Sequence, residues 1–191
     1  MDFRNIRTLG WITLLGFGGL GFLLIWWLRD EGIVDFLSGH YSIGIQLLTG
    51  VFYGLFCGYM AWFVVSRKFM KPITNKYSHI IQGLKLSIWD IWFISFCAGV
   101  GEELFFRGGL QPLLGIWITA IIFVAIHGYL NPTNWRISIY GIIMIFLMAG
   151  LGYLTEEVGI ISAMTAHMII DVILLKKLVA WKIPFSFEEE E

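Results

Sequence analysis

Apolar residues run almost without interruption from Leu9 to Leu28, Ile43 to Val65, Ile88 to Phe106, Leu113 to Leu130, Ile137 to Leu154 and Ile160 to about Leu175. A hydrocarbon core about 30 Å thick needs roughly 20 apolar residues in helical form, so each run predicts a membrane-crossing helix. Charged groups mark the ends. Arg4 and Arg7 precede the first run, and Arg29, Asp30 and Glu31 follow it. Arg67, Lys68 and Lys71 stop the second, and Lys176 and Lys177 stop the last. The first run exceeds the roughly 7–15 apolar residues of a signal peptide and has no small-residue cleavage site, so it reads as an anchor. Gly50, Gly54 and Gly58 recur every four residues in the second run. That spacing predicts a glycine stripe on one helix face, where another helix can approach closely.

The charges test the count of six. With the N-terminus inside, the inner side receives Arg4, Arg7, Arg67, Lys68, Lys71, Lys76, Lys85, Arg136, Lys176, Lys177 and Lys182, and the outer side only Arg29 and Arg107. This asymmetry follows the positive-inside rule and would be scrambled by an odd number of spans. The expected fold is therefore all-α, a polytopic bundle of about six spans with both termini cytoplasmic, forming one integral domain over 1–191. Composition agrees: 58% of residues are hydrophobic and 14% charged, against about 25% charged in soluble domains. Disorder, a water-soluble core and nucleic-acid binding through basic patches are excluded. Cys57 and Cys97 lie in apolar runs and read as reduced packing residues, and Glu188 to Glu191 as a solvated tail.

Against this background the polar interruptions stand out. A charge at the bilayer centre costs about 2.5–3.5 kcal/mol even on insertion scales. Glu102, Glu103, His127, His167 and Asp171 nevertheless lie within the last four runs, with Arg107 just past the third. Such groups must face a bundle interior or a wet cavity, and they mark function by default; the competing reading is an ion-pair cluster that only fixes packing. In the stretch Gly99 to Gly109, Glu103 and Arg107 are four apart and share a helix face, while Glu102 is turned about 100° away. One glutamate thus reads as structural and its neighbour as free to act as a general base. Phe123 and His127 share a face, as do His167 and Asp171. At about 1.5 Å per residue, Glu102 and His127 differ in depth by roughly 10 Å, which requires a tilted or broken helix. Glu156 and Glu157 lack a following Arg and read as loop acids, and His40 and His79 as surface histidines. Trp26, Trp27, Trp135 and Trp181, near run ends, suit interfacial anchoring.

Glu102-Glu103-x-x-x-Arg107, Phe123-x-x-x-His127 and His167-x-x-x-Asp171, in that order, resemble the motif set of the CPBP (Abi) family of intramembrane proteases, which includes the type II CAAX prenyl endopeptidases. The resemblance covers about residues 86–175 as a catalytic core, with 1–85 contributing two spans and a basic loop. It implies that Glu102 deprotonates a water, that His127 helps hold that water against the scissile carbonyl, and that His167 and residue 171 stabilise the oxyanion. Glu103, Arg107 and Phe123 support the site. The last motif often ends in Asn, which can donate to an oxyanion. An ionised Asp171 only accepts, so it orients His167, or donates if it stays protonated.

Glu102, His127, His167 and Asp171 are also donor types that suit Zn²⁺, although no HExxH pattern is present; metal-free glutamate catalysis is favoured and no other cofactor is expected. No Ser or Cys sits beside a base as a nucleophile, since Ser162 lies five residues before His167. The leading expectation is an endopeptidase, in a bacterial cell membrane, acting on a membrane-bound or prenylated peptide or protein. Membrane lipid is the surrounding partner. Two readings from other classes compete: a proton-coupled transporter, and a non-catalytic scaffold of the same fold.

Overall fold

The computed structural model describes residues 3–29 and 32–183, and Glu188 to Glu191 fall outside them. Regular structure among the described residues is all helical, with no strand. Helix α1 (Phe3–Ile12) passes through a π-helical turn (Thr13–Phe17) into α2 (Gly18–Leu28), and a short α3 (Ile33–Ser38) follows. Then come α4 (Ile43–Val65), α5 (Lys71–Gly83) and α6 (Ile88–Glu103). A second π-helical stretch (Leu104–Leu110) leads into α7 (Gln111–Ile126), and α8 (Trp135–Glu157) and α9 (Ile160–Val179) complete the bundle.

Helical stretches long and apolar enough to cross a membrane number four among the described residues: Ile6–Leu28, Ile43–Val65, Ile88–Ile126 and Trp135–Glu157. Two features separate this from the six runs seen in sequence. Helix α9 carries Asp171, Lys176 and Lys177, too many charges for the same criterion. The third and fourth runs are also joined in one helical stretch of 39 residues. If that stretch were straight, Glu102 and His127 would lie about 38 Å apart along its axis. Their side chains are 3.5 Å apart, so the stretch folds back on itself. The one non-helical residue inside α7 is Gly115, at φ 75° and ψ 169°, a conformation that glycine adopts without a Cβ clash. The reversal that brings the two side chains together lies there, inside the fourth apolar run rather than before it.

Contacts at the helix ends fix the relative directions of α1 and α6 and of α4 and α8. Arg7 Nε donates to Asp90 Oδ1 at 2.7 Å, joining the starts of α1 and α6. Asp90 also completes a capping box with Ser87, satisfying amides that would otherwise be orphaned at the helix start. Phe69 stacks on Trp135 at 6.0 Å at the start of α8. At the opposite end His40 N donates to Val158 O at 3.1 Å, between α8 and α9. The basic residues that follow α4 and close α9 gather at the Arg7 end. Arg107, counted in sequence as an outer-loop charge, is instead 1% exposed inside the bundle. The stretch after α4 that reads as a basic loop is largely the helix α5, with Pro72 in its first turn, where a missing N–H removes nothing. Glu156 lies in α8 rather than in a loop and accepts from Gln111 Nε2 at 2.9 Å. His40 and His79 are exposed.

Helix α9 is the centre of the bundle, and small residues put it there. The predicted stripe on α4 faces it: a Cβ at Gly50, Gly54 or Gly58 would lie 2.5–2.7 Å from Ser162 O, Ala166 O or Ile173 Cδ1. From the other side, a Cβ at Gly99 of α6 would lie 2.8 Å from Met164 O. Two glycine-lined surfaces therefore clamp one helix, and dispersion contacts across them replace a hydrophobic driving force that lipid cannot supply. The N-terminal rod performs the same service for α6, where Thr13 O would meet a Cβ at Gly101 at 2.6 Å. Gly54→Val is expected to lower stability by about 1–3 kcal/mol through overpacking, read as a lower melting temperature in detergent. Gly44→Val on the same helix, with nothing within 4 Å, leaves the melting temperature unchanged.

Candidate active site

Three helices bring the motif residues together. Glu102 and Glu103 end α6, Arg107 lies in the π-helical stretch that follows, Phe123 is on α7 and His127 caps its end, and His167 and Asp171 are on α9. The π-helical turn starts immediately after the glutamates, at a place where a widened helix commonly accompanies function.

The paired glutamates have different surroundings, as their spacing predicts. Glu103 is 0% exposed and its Oε2 lies 3.1 Å from Arg107 Nε. Its Oε1 accepts from His167 Nδ1 at 2.8 Å. Arg107 in turn donates through Nη2 to Met148 O on α8 at 3.0 Å. One buried carboxylate thus joins α6, α9 and, through Arg107, α8. Glu102 is at the cavity wall, its side chain 14% exposed. Its Oε2 is buried without a hydrogen-bond partner among the described residues. The imidazole Nε2 of His127 faces it at 3.5 Å.

The tautomer of His127 follows from its other nitrogen. Nδ1 lies 2.7 Å from Phe123 O, and a carbonyl can only accept, so Nδ1 carries the hydrogen. In the neutral ring Nε2 is then a bare acceptor facing a carboxylate oxygen. Two acceptors so placed need a proton donor between or beside them, and a water molecule can donate one hydrogen to each. Phe123 holds the arrangement from below: its ring stacks on His127 at 4.3 Å, meets His167 edge-on at 5.6 Å, and lies 5.0 Å from the Arg107 guanidinium. Asp171 Oδ2 is 3.7 Å from His167 Nε2, and its side chain is 32% exposed at the rim. The ring is oriented by Glu103 rather than by Asp171.

These groups sit at the polar end of a cavity of about 330 Å³. The rest of its wall is largely apolar. One face of α5 contributes Ile73, Tyr77 and Ile81, and the far turns of α9 contribute Leu174 and Leu178. Tyr129 and Tyr140, absent from the motif reading, also line it. Their rings pack edge to face at 5.1 Å, and Tyr129 stacks beside His127 at 5.9 Å. Tyr129 has a signal in sequence, a hydroxyl-bearing ring two residues after a motif histidine, whereas Tyr140 has none. As placed, no three His, Cys, Asp or Glu side chains among the described residues form a metal-binding group. His167 Nδ1 is engaged by Glu103 and His127 Nδ1 by a carbonyl, so each ring has only Nε2 to offer.

Comparison with known proteins agrees with this geometry. Residues 84–173 match the type II CAAX prenyl endopeptidase Rce1-like family. A relative, the uncharacterized protein YpbD of Bacillus subtilis (strain 168), is 38% identical over 90 residues, which are 47% of this chain and 46% of the relative. The chain thus spans about half the length of that protein. No solved structure matches it. The matched segment begins just before α6, ends within α9 and contains every motif residue, so the site-bearing half of this multi-pass membrane protein is similar to the Rce1-like type II CAAX prenyl endopeptidases.

Proposed function

We propose that the chain is an intramembrane endopeptidase that hydrolyses a peptide bond of a membrane-associated or lipidated substrate with a water activated by Glu102. The observation that carries this reading is the buried, unpartnered Oε2 of Glu102 opposite the acceptor nitrogen of His127. A water bridging the two keeps its lone pair for the scissile carbonyl. Glu102 takes its proton as the C–O bond forms, which is general-base catalysis. The carbonyl oxygen becomes an oxyanion and His167 Nε2 donates to it. That requires a doubly protonated ring, since Nδ1 already donates to Glu103, and the carboxylates of Glu103 and Asp171 supply the counter-charge. Glu102 returns its proton to the amide nitrogen as the C–N bond breaks. The largely apolar cavity wall suits the hydrocarbon part of a membrane-associated substrate.

The same reading places six helical passes across the bilayer, counting the two arms of the hairpin at Gly115 and α9 separately, with both termini on the side of the basic residues. Residues 86–175 form the catalytic core. The first two passes support it, α1–α2 against α6 and α4 against α9. The setting is a bacterial cell membrane. A proton carrier needs a relay across the membrane, whereas these groups converge at one cavity end.

Glu102→Gln should abolish cleavage, a fall of about 10²–10⁴-fold, with an unchanged melting temperature in detergent; a proteomic comparison of membranes from wild-type and variant cells should show one missing product. Unchanged products would instead favour a scaffold.

Arg107→Met should behave oppositely. It strands the buried Glu103 charge and lowers stability by about 3–5 kcal/mol, and adding Glu103→Gln should recover part of that loss, as a thermal-melt double-mutant cycle would measure. Cleavage should survive a chelator; a complete loss restored by zinc would refute the metal-free mechanism.

A further inference from the structure

Helices α5 and α9 wall the catalytic cavity on one side, and on their other side they border a second, open hollow of about 520 Å³. Its polar lining comes from Lys71 and Asn75 of α5, Lys177 of α9 and Lys182 just beyond it, and Trp62 and Trp181 form its aromatic sides. The walls are fixed in place. Trp181 Nε1 donates to Asn75 Oδ1 at 2.8 Å, and Gln82 Nε2 donates to Leu178 O at 3.1 Å and Trp181 O at 2.8 Å. Trp62 meets Trp181 edge to face at 5.5 Å.

No carboxylate among the described residues lines this hollow, although lysines from three places converge on it. Lys177 has a local explanation, since a cation in the last turn of a helix complements the macrodipole. Lys71 has the opposite setting. It opens α5, where a cation opposes the dipole, and neither an acidic residue in the first turn nor a side-chain cap offsets it. An anion in the hollow would compensate both the dipole end of α5 and the three ammonium groups. Two tryptophans beside it mark the depth of the membrane interface, and the neighbouring Tyr59 and Phe63 of α4 are 55% and 54% exposed, as suits a surface facing acyl chains.

We propose that this hollow binds the phosphate headgroup of an anionic membrane phospholipid. Basic pockets between membrane helices on the positive side are suited to such headgroups, and the exposed aromatic flank favours a lipid over a free phosphate. A headgroup held between Lys71 and Lys177 ties α5 to α9. Because Ile73, Thr74 and Leu178 of the same helices line the catalytic cavity, the bound lipid sets the position of that cavity's wall. The site stands independently of the reaction proposed for Glu102.

The test is native mass spectrometry of the full chain released from nanodiscs of phosphatidylglycerol or phosphatidylcholine with matched acyl chains. The wild type should retain phosphatidylglycerol and not phosphatidylcholine. Lys71→Gln/Lys177→Gln/Lys182→Gln should reduce that retention by at least about tenfold, and the three Lys→Arg changes should preserve it. Lys68→Gln/Lys76→Gln/Lys85→Gln, which removes equal charge outside the hollow, should also preserve it. All three lysines of the site are exposed, so each variant should keep the wild-type melting temperature in phosphatidylcholine. Equal losses in the two Gln variants, or full retention in the first, would overturn the proposal. Displacement of the lipid by millimolar inorganic phosphate would assign the hollow to a soluble anion and overturn the lipid site.

Discussion

The buried carboxylate of Glu103 is the constraint on which the rest of the bundle depends. A fully desolvated charge is tolerated only when paired and hydrogen-bonded, and Glu103 finds its partners on two other elements, Arg107 at 3.1 Å and His167 Nδ1 at 2.8 Å. Satisfying it fixes the rotation of α6 against α9, and Arg107 extends the constraint to the Met148 carbonyl of α8. With Glu103 turned inward, the helical period leaves Glu102 facing the cavity. The placement of one glutamate is therefore set by the electrostatics of its neighbour.

Helix packing makes that arrangement possible. His167 can reach Glu103 only because α6 and α9 approach at Gly99, and α9 is pressed there from behind by the glycine face of α4. Phe123 then fills the space between the two imidazoles and the guanidinium, touching all three groups. These contacts join α7 to α9 and to the π-helical stretch, so the site and the core are one structure.

Relations within a helix were legible in the amino-acid order. The Glu103–Arg107 pair, the differing surroundings of the two glutamates and the glycine face of α4 all follow from a period of 3.6 residues. Relations between helices were legible only as requirements. The depth mismatch between Glu102 and His127 called for a tilted or broken helix, and the turn between the third and fourth runs was expected between Phe106 and Leu113; a single glycine among many does not announce a positive φ, so its place at Gly115 was not located. The link from Glu103 to His167 spans 64 positions and has no local signature; Asp171, four residues along the same helix, was the nearer candidate for orienting that ring. Arg107 was assigned to a loop because the apolar run ends at Phe106, whereas the π-helical stretch carries the chain onward inside the protein. Tyr129 and Tyr140 were passed over because an aromatic ring in an apolar run looks like ordinary packing.

The reversal at Gly115 separates the reach of the hairpin from its chemistry. Glu102 and His127 stand opposite each other on its two arms, while the tip lies well beyond them. Whole turns added to both arms in equal number would carry the tip further into a thicker bilayer and leave Glu102 and His127 in register. A lineage moving between membranes of different thickness can thus adjust this element at its apex, and the spacing of Glu102 and His127 is not exposed to selection on length.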